Sequence, residues 1–183
     1  MAGHAAEDDR FAKSVERLRR GDFSFSEPLF ADHMASRPCQ VVRWLAEGRF
    51  RDIPDALREA FTCACFLGKT SVVKSLLEEG VEVEGGAATG MNALHWAVNR
   101  GQLETVQLLL ETRASLEVRN TYGGTALGAA VWASIHESRP AHVAIIEALL
   151  EAGAQVGAVD YPTGIQAIDV LLERHGARSD DDA

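Results

Sequence analysis

Short apolar blocks with a helical spacing dominate the middle of the chain. In ALHWAVN the apolar residues Leu94, Ala97 and Val98 lie at positions i, i+3 and i+4. In the block LETVQLLL that follows, apolar residues occupy positions i, i+3 and i+7. Each spacing places its residues on one face of a helix. The pattern therefore predicts two short amphipathic helices, joined by a turn at Gly101, where a positive φ costs little.

The two-helix pattern recurs along the chain at a fixed period. At an offset of 33, Leu94 aligns with Phe61, Ala97 with Ala64, Gly101 with Gly68, Val106 with Val73, and residues 109–110 with residues 76–77. A third copy starts at GGTALGAAV with the same offset. Its second half, VAIIEALLEAGAQV, follows at an offset of 40, so seven extra residues lie near 134–140. A fixed period near 33 predicts a stacked repeat array.

Weaker copies flank the three clear ones. SEPLFADH with VVRWLAEG forms one copy, and GIQAIDVLLERHGA begins another that stops before a second half. An array needs protected ends, and Phe11, Val15 and Leu18 lie on one face of a predicted capping helix. The predicted segments are the capping helix 1–22, repeats 23–52, 53–85, 86–118, 119–158 and 159–177, and an acidic tail 178–183 that we expect to be disordered.

The residue after the second helix differs among the copies. Gly80 and Gly153 occupy this place in two copies, and Arg113 occupies it in the copy between them. Glycine is typical of a left-handed helix end. Gly80 and Gly153 therefore fit a left-handed helix end, and Arg113 should cost about 1 kcal/mol relative to glycine if its copy keeps the same geometry.

These residues resemble the ankyrin repeats, whose motif is G-x-T-P-L-H-x-A-A-x-x-G followed by V-x-x-L-L. The chain echoes the motif as GMNALHWAVNRG, as GGTALGAAV and more faintly as LREAFTCACFLG. The resemblance covers about residues 24–177, in four to five repeats with degenerate ends. Two departures stand out: the clear copies lack the proline, and the histidine occurs only as His95, with Thr62 and Gly128 in its place elsewhere. The resemblance implies an all-α repeat solenoid of helix-turn-helix units with hairpin-like loops.

Composition and charge limit the kinds of partner and the cellular compartment that fit this chain. The formal net charge of −9 argues against a nucleic-acid partner. No apolar run approaches the roughly 18 residues of a membrane span, so we expect no membrane contact. Three cysteines give no disulfide framework, which favours a reduced, cytoplasmic chain. We expect a monomer.

The sequence offers little chemistry for catalysis or metal binding. Cys63 and Cys65 point about 200° apart on a helix, so they do not share a metal ion, and we expect structural thiols. His136 and His142 lie in or beside the extra residues. A loop with a functional role is one interpretation, and a solvated loop without such a role is the favoured one. No nucleophile with a base and no phosphate-binding loop is evident. We expect no enzyme, no cofactor and no metal.

The ankyrin resemblance implies a partner protein on the concave side, which hairpin tips and first helices form. Carried over by position, the candidate binding residues are Phe66, Leu67, Thr89, Met91, Asn99, Arg100, Arg119, Thr121, Tyr122, Trp132 and Tyr161. For Trp132 a surface anchor and a packing role are equally open, and for Phe66 packing is favoured. His95 is expected to be a scaffold residue that hydrogen-bonds near Asn92 and the neighbouring hairpin.

A second function class remains open from the sequence. The chain is small and acidic, which is compatible with an inhibitor or immunity-type protein that occludes a basic toxin or enzyme.

Overall fold

The computed structural model describes residues 2–34, 36–137 and 139–178, with side chains from residue 5 onward. The chain divides into two compact units, Met1–Ala93 and Leu94–Ala183. The predicted disorder of the acidic tail concerns residues 179–183, which lie outside the described residues, and stays a prediction. Within the described part, no helix is both long and apolar enough to cross a membrane.

The N-terminal unit consists of helices and turns. Its helices are α1 (Ala2–Arg19), α2 (Glu27–Phe30), α3 (Gln40–Ala46), α4 (Pro54–Phe66) and α5 (Thr70–Glu78). Pro54 opens α4 at a position where a missing backbone N–H costs nothing. The helix α1 packs on α4, α4 packs on α5, and α2 packs on α3.

Aromatic rings and small side chains pack in the core of this unit. Phe11 of α1 lies edge-to-face against Trp44 and Phe50, with ring centroids 5.0 and 5.4 Å apart. Trp44 is fully buried, as are Ala60 and Ala64 of α4. The small alanines let neighbouring helices approach closely, and α1 covers the apolar surface that the first repeat would otherwise expose.

The C-terminal unit continues the two-helix pattern. Its helices are α6 (Ala93–Asn99, which begins at the boundary), α7 (Leu103–Glu111), α8 (Ala126–His136), α9 (His142–Glu151) and α10 (Gln166–Arg174), with one 3₁₀ turn at Val156–Ala158. Thr125 caps α8, since its Oγ1 accepts the Gly128 N–H at 3.3 Å. The helix α9 packs on α7, α8 and α10.

Helix ends follow the predicted backbone geometry. Gly68 and Gly101, between the two helices of a repeat, have φ values of 66° and 69°. After the second helix, Gly80 has φ 85°, Gly153 has φ 97° and Arg113 has φ 63°. The copy that carries Arg113 therefore keeps the left-handed helix end of its neighbours, which is the condition under which an arginine there costs stability.

The extra residues near 134–140 are not simply a loop. Ser134, Ile135 and His136 belong to α8, which is 11 residues long, whereas α6 has seven. The insertion therefore lengthens the first helix of its repeat by a turn, and only the remainder connects to α9. The sequence indicated the number of inserted residues and not their helical state.

The left-handed arginine gives a prediction about stability. We expect Arg113→Gly to raise the free energy of unfolding by about 0.5–1 kcal/mol, because glycine relieves the strain and loses part of that gain to chain entropy. Gly153→Ala, at the same place one repeat later, is the matched control and should lower it by about 1 kcal/mol. Urea denaturation measures both; a destabilised Arg113→Gly would contradict this account.

Candidate functional site

Side chains of α4 organise the hairpin that follows α5. Thr62 Oγ1 donates to the Gly86 carbonyl at 2.9 Å and accepts the Gly86 N–H at 2.8 Å. Glu59 Oε1 accepts the Ala88 N–H at 2.9 Å, while its Oε2 is buried without a hydrogen-bond partner among the described residues. Burial raises the pKa of Glu59, against the opposing effect of the backbone N–H groups. Thr62 thus takes the place of the family's histidine.

His95 of α6 makes the corresponding bridge in the C-terminal unit. Its Nε2–H donates to the Gly124 carbonyl at 3.1 Å, and the side chain is almost completely buried. Burial lowers the pKa of His95, so the neutral form is favoured. The prediction of a scaffold histidine that bonds the neighbouring hairpin is confirmed. Gly128 holds this place in α8 and has no side chain to form a bridge; a Cβ there would lie 3.5 Å from the Ala158 carbonyl oxygen.

The hairpin at residues 119–124 is held by one asparagine. Asn120 Oδ1 accepts the N–H groups of Tyr122 and Gly124 at 2.9 and 3.0 Å. The Asn120 N–H donates to the Gly124 carbonyl, and its carbonyl accepts the Gly123 N–H, both at 2.9 Å. Arg119 Nη1 adds a bond to the Gly123 carbonyl at 2.6 Å. Sequence reasoning missed Asn120, although an Asn ahead of paired glycines is a turn signal.

This hairpin presents Tyr122 to solvent. The Tyr122 side chain is 86% exposed at the tip, and Thr121 beside it is exposed too. An exposed aromatic ring on a backbone that five hydrogen bonds restrain loses little conformational entropy when it is covered by a partner. Tyr and Trp dominate binding hot spots.

Trp132 lies in the same repeat, on α8. It is 52% exposed and stacks on His136, with ring centroids 4.3 Å apart and planes 16° apart. His136 is held in place because its Nδ1–H donates to the Trp132 carbonyl at 2.8 Å. The Trp132 ring therefore packs against His136 and is also about half exposed to solvent, and its role as a binding anchor stays a prediction.

The other candidate binding residues of the C-terminal unit, Asn99, Arg100 and Tyr161, are less exposed to solvent. Asn99 ends α6 and Arg100 follows it; both are half-buried. Tyr161 is half-buried, and its hydroxyl donates to Glu173 Oε1 of α10 at 2.6 Å. The bond to Glu173 holds the Tyr161 hydroxyl against α10.

The candidates of the N-terminal unit are half-buried. Phe66 ends α4, and its ring centroid lies 5.6 Å from that of Phe23, in accord with the favoured packing interpretation. Leu67 caps α4. Thr89 and Met91 lie in the hairpin before α6, where Thr89 Oγ1 accepts the Met91 N–H at 3.4 Å.

The connection between α8 and α9 contacts the preceding repeat, contrary to the favoured solvated loop. His142 is almost completely buried; its Nε2–H donates to the Asn99 carbonyl at 3.3 Å, and its Nδ1 accepts the Arg139 N–H at 3.4 Å. Arg139 also covers Gly101, where an added Cβ would lie 3.1 Å from the Arg139 Cδ. Burial lowers the pKa of His142, and Arg139 lowers it further. The solvated-loop prediction was wrong for His142 because its imidazole satisfies a backbone carbonyl.

The three cysteines are buried free thiols. Cys63 Sγ donates to Ser26 Oγ at 2.9 Å, and burial raises its pKa to about 12. Such a thiol is almost entirely protonated at neutral pH, which is the state of a structural cysteine. Within residues 2–34, 36–137 and 139–178, no group of three potential metal ligands comes together.

Comparison with known families identifies the repeat. A family model described as ankyrin repeats (3 copies) matches residues 29–120 and again residues 60–160. The chain belongs to the ankyrin repeat family, and the predicted fold class is confirmed. Ankyrin repeats are generally protein–protein interaction modules and are typically not enzymes.

Two larger proteins share part of this sequence. The mouse (Mus musculus) protein fem-1 homolog A-like is 37% identical over 103 residues, which is 55% of this chain and 14% of that protein. A probable E3 ubiquitin-protein ligase, XBOS33, of rice (Oryza sativa subsp. japonica) is 38% identical over 80 residues, which is 43% of this chain and 14% of that protein. The chain thus spans only a small part of either relative.

The two buried histidines predict a pH dependence of stability. In the unfolded chain a histidine gains a proton below about pH 6.5, whereas burial keeps His95 and His142 neutral to lower pH. The unfolded state then binds more protons, so the free energy of unfolding should fall as pH decreases from about 6.5, by at most about 1.4 kcal/mol per pH unit for each histidine.

Urea denaturation between pH 7.5 and pH 5 tests this dependence. The variants His95→Gln and His142→Gln should each show a flatter decline, whereas His136→Gln, at an exposed histidine, serves as the control. An unchanged slope in both buried-site variants would refute the assignment.

Proposed function

We propose that the chain binds a partner protein through the surface that hairpin tips and first helices form in ankyrin repeats, with Tyr122 and Trp132 as its main anchors. The observation that carries the proposal is Tyr122, 86% exposed at the tip of a hairpin that Asn120 restrains. A ring on a restrained backbone loses little conformational entropy on binding, and tyrosine is among the residue types that dominate binding hot spots.

The neighbouring residues support a mixed polar and aromatic surface. Arg119 and Thr121 flank Tyr122, and Trp132 with His136 adds a second flat apolar group. Large aromatic anchors with a polar rim are typical of protein interfaces. Asn99, Arg100 and Tyr161 complete the proposed surface in the C-terminal unit, and Phe66, Leu67, Thr89 and Met91 are its proposed members in the N-terminal unit.

The acidic-inhibitor alternative has less support. It rests on the net charge of −9, and acidic chains are common without such a role. It predicts binding that depends on the carboxylates more than on the aromatic anchors, so the same binding measurements separate the two functions.

The binding prediction concerns the two anchors. Affinity purification from the native source, followed by mass spectrometry, supplies a partner, and its affinity is then measured by calorimetry. Tyr122→Ala and Trp132→Ala should each weaken binding about tenfold or more, because truncating a hot-spot aromatic costs roughly 2 kcal/mol or more. Asn120→Ala should weaken binding too, although it removes no anchor, because the tip loses its restraint.

Val143→Ala is the matched control, since Val143 lies in the same unit on α9 and is 38% exposed. It should leave the affinity within about twofold. Full affinity in a folded double variant of Tyr122 and Trp132 would reject the proposed surface. Binding that survives the double variant and disappears at high ionic strength would favour the acidic inhibitor instead.

A further inference from the structure

Three arginines from separate segments of the N-terminal unit line one cavity. Arg10 comes from α1, Arg37 from the connection between α2 and α3, and Arg43 from α3. The cavity has a volume of about 370 Å³, and Pro28 is part of its wall. Three positively charged residues therefore line one cavity in a chain whose net charge is −9.

Arg10, Arg37 and Arg43 lack the ion pairs that most of the other arginines of the unit form. Five others, Arg17, Arg19, Arg20, Arg49 and Arg58, each form an ion pair with a carboxylate. No such pair exists for Arg10, Arg37 or Arg43 in the part of the chain that the structure describes, and Arg43 bonds only the Gln40 amide oxygen. Like charges at one opening repel, so this arrangement is stabilised when an anion enters.

The segment that carries Arg37 is restrained by hydrogen bonds. Met34 and Arg37 exchange two backbone bonds, each 3.0 Å long. His33 anchors the segment at both ring nitrogens: Nδ1 accepts the Cys39 N–H at 3.2 Å, and Nε2 lies 3.1 Å from Ser75 Oγ of α5. Arg37 is therefore held on a restrained backbone, which reduces the entropy cost of binding.

The formal charge of the residues that line the cavity indicates which ligand fits it. Asp32 is the one carboxylate among the lining residues, so three arginines and one aspartate give the lining a formal charge of +2. Outside the lining, the Glu7 carboxylate accepts a bond from Gln40 Nε2 at 3.0 Å. A phosphate monoester carries about −1.5 to −2 at neutral pH, and its oxygens accept paired bonds from arginine. A single Asp or Glu side chain would neutralise half of the charge at most.

We propose that this cavity binds a phosphorylated side chain of a partner protein, with Arg10, Arg37 and Arg43 as the residues that contact the phosphoryl group. The site does not rely on the Tyr122 surface, and it adds a second, modification-dependent contact to a protein-binding chain. Arginine clusters are a general means of recognising phosphorylated segments.

Peptide libraries immobilised on beads test the proposal with the full chain. Two libraries carry a fixed central phosphoserine or phosphotyrosine, and two carry serine or glutamate at that position. We expect retention on at least one phosphorylated library, weaker retention on glutamate and none on serine. A selected phosphopeptide is then titrated against the variants by fluorescence polarisation.

The variants separate the cavity from charge in general. Arg10→Gln and Arg37→Gln should each weaken phosphopeptide binding about tenfold. Asp32→Asn should strengthen it, because the opposing carboxylate is removed; asparagine tolerates the φ of 53° at this position. The control is Arg51→Gln, at an exposed arginine outside the lining, which should leave binding unchanged. Circular dichroism shows that each variant is folded.

Three outcomes would overturn the proposal: retention on neither phosphorylated library, equal retention on glutamate, or equal loss of binding with Arg51→Gln. Tyr122→Ala is included in the same titration. It should leave phosphopeptide binding intact, so a failure of this site is distinguishable from a failure of the proposed function.

Discussion

Buried backbone N–H and C=O groups of the hairpins need hydrogen-bond partners, and in this chain the first helix of the preceding repeat supplies them. Thr62 binds both backbone groups of Gly86, and His95 binds the carbonyl of Gly124. Each bond joins residues far apart in sequence, so it fixes where a hairpin sits on its repeat. The exposed positions at a hairpin tip depend on that placement.

The bridging residues also show how a repeat tolerates different side chains at one position. A hydroxyl at Thr62 donates and accepts at close range, whereas the longer imidazole of His95 reaches a single carbonyl. Gly128 has no side chain, and the 3₁₀ turn at Val156–Ala158 packs on its helix instead. The repeat therefore conserves the contact between helix and hairpin, while the group that makes the contact varies.

Periodicity predicted the features that repeat. Gly80 and Gly153 occupy the same place as Arg113 in neighbouring copies and fit a left-handed helix end, and Arg113 keeps that geometry with a φ of 63°. The same reasoning fails where no copy offers a template. The residues near 134–140 have no counterpart, so neither the extension of α8 nor the buried contact of His142 with Asn99 followed from the sequence.

Periodicity predicted only part of what the structure shows for the candidate binding residues. Position in the repeat indicated Tyr122 and Trp132, yet exposure and the stack with His136 depend on three-dimensional packing. The arginine cavity was not foreseen at all. Its residues come from the capping helix and from the first repeat, whose degenerate sequence gives no position to compare.

The three tryptophans differ in solvent exposure: Trp44 is buried, Trp96 is half-buried and Trp132 is 52% exposed. Indole fluorescence moves to longer wavelength as water reaches the ring. Trp44 therefore contributes the short-wavelength side of the emission spectrum and Trp132 the long-wavelength side. A ligand that covers α8 would shift the emission of Trp132 and leave that of Trp44 in place, so the protein carries its own optical reporter of occupancy.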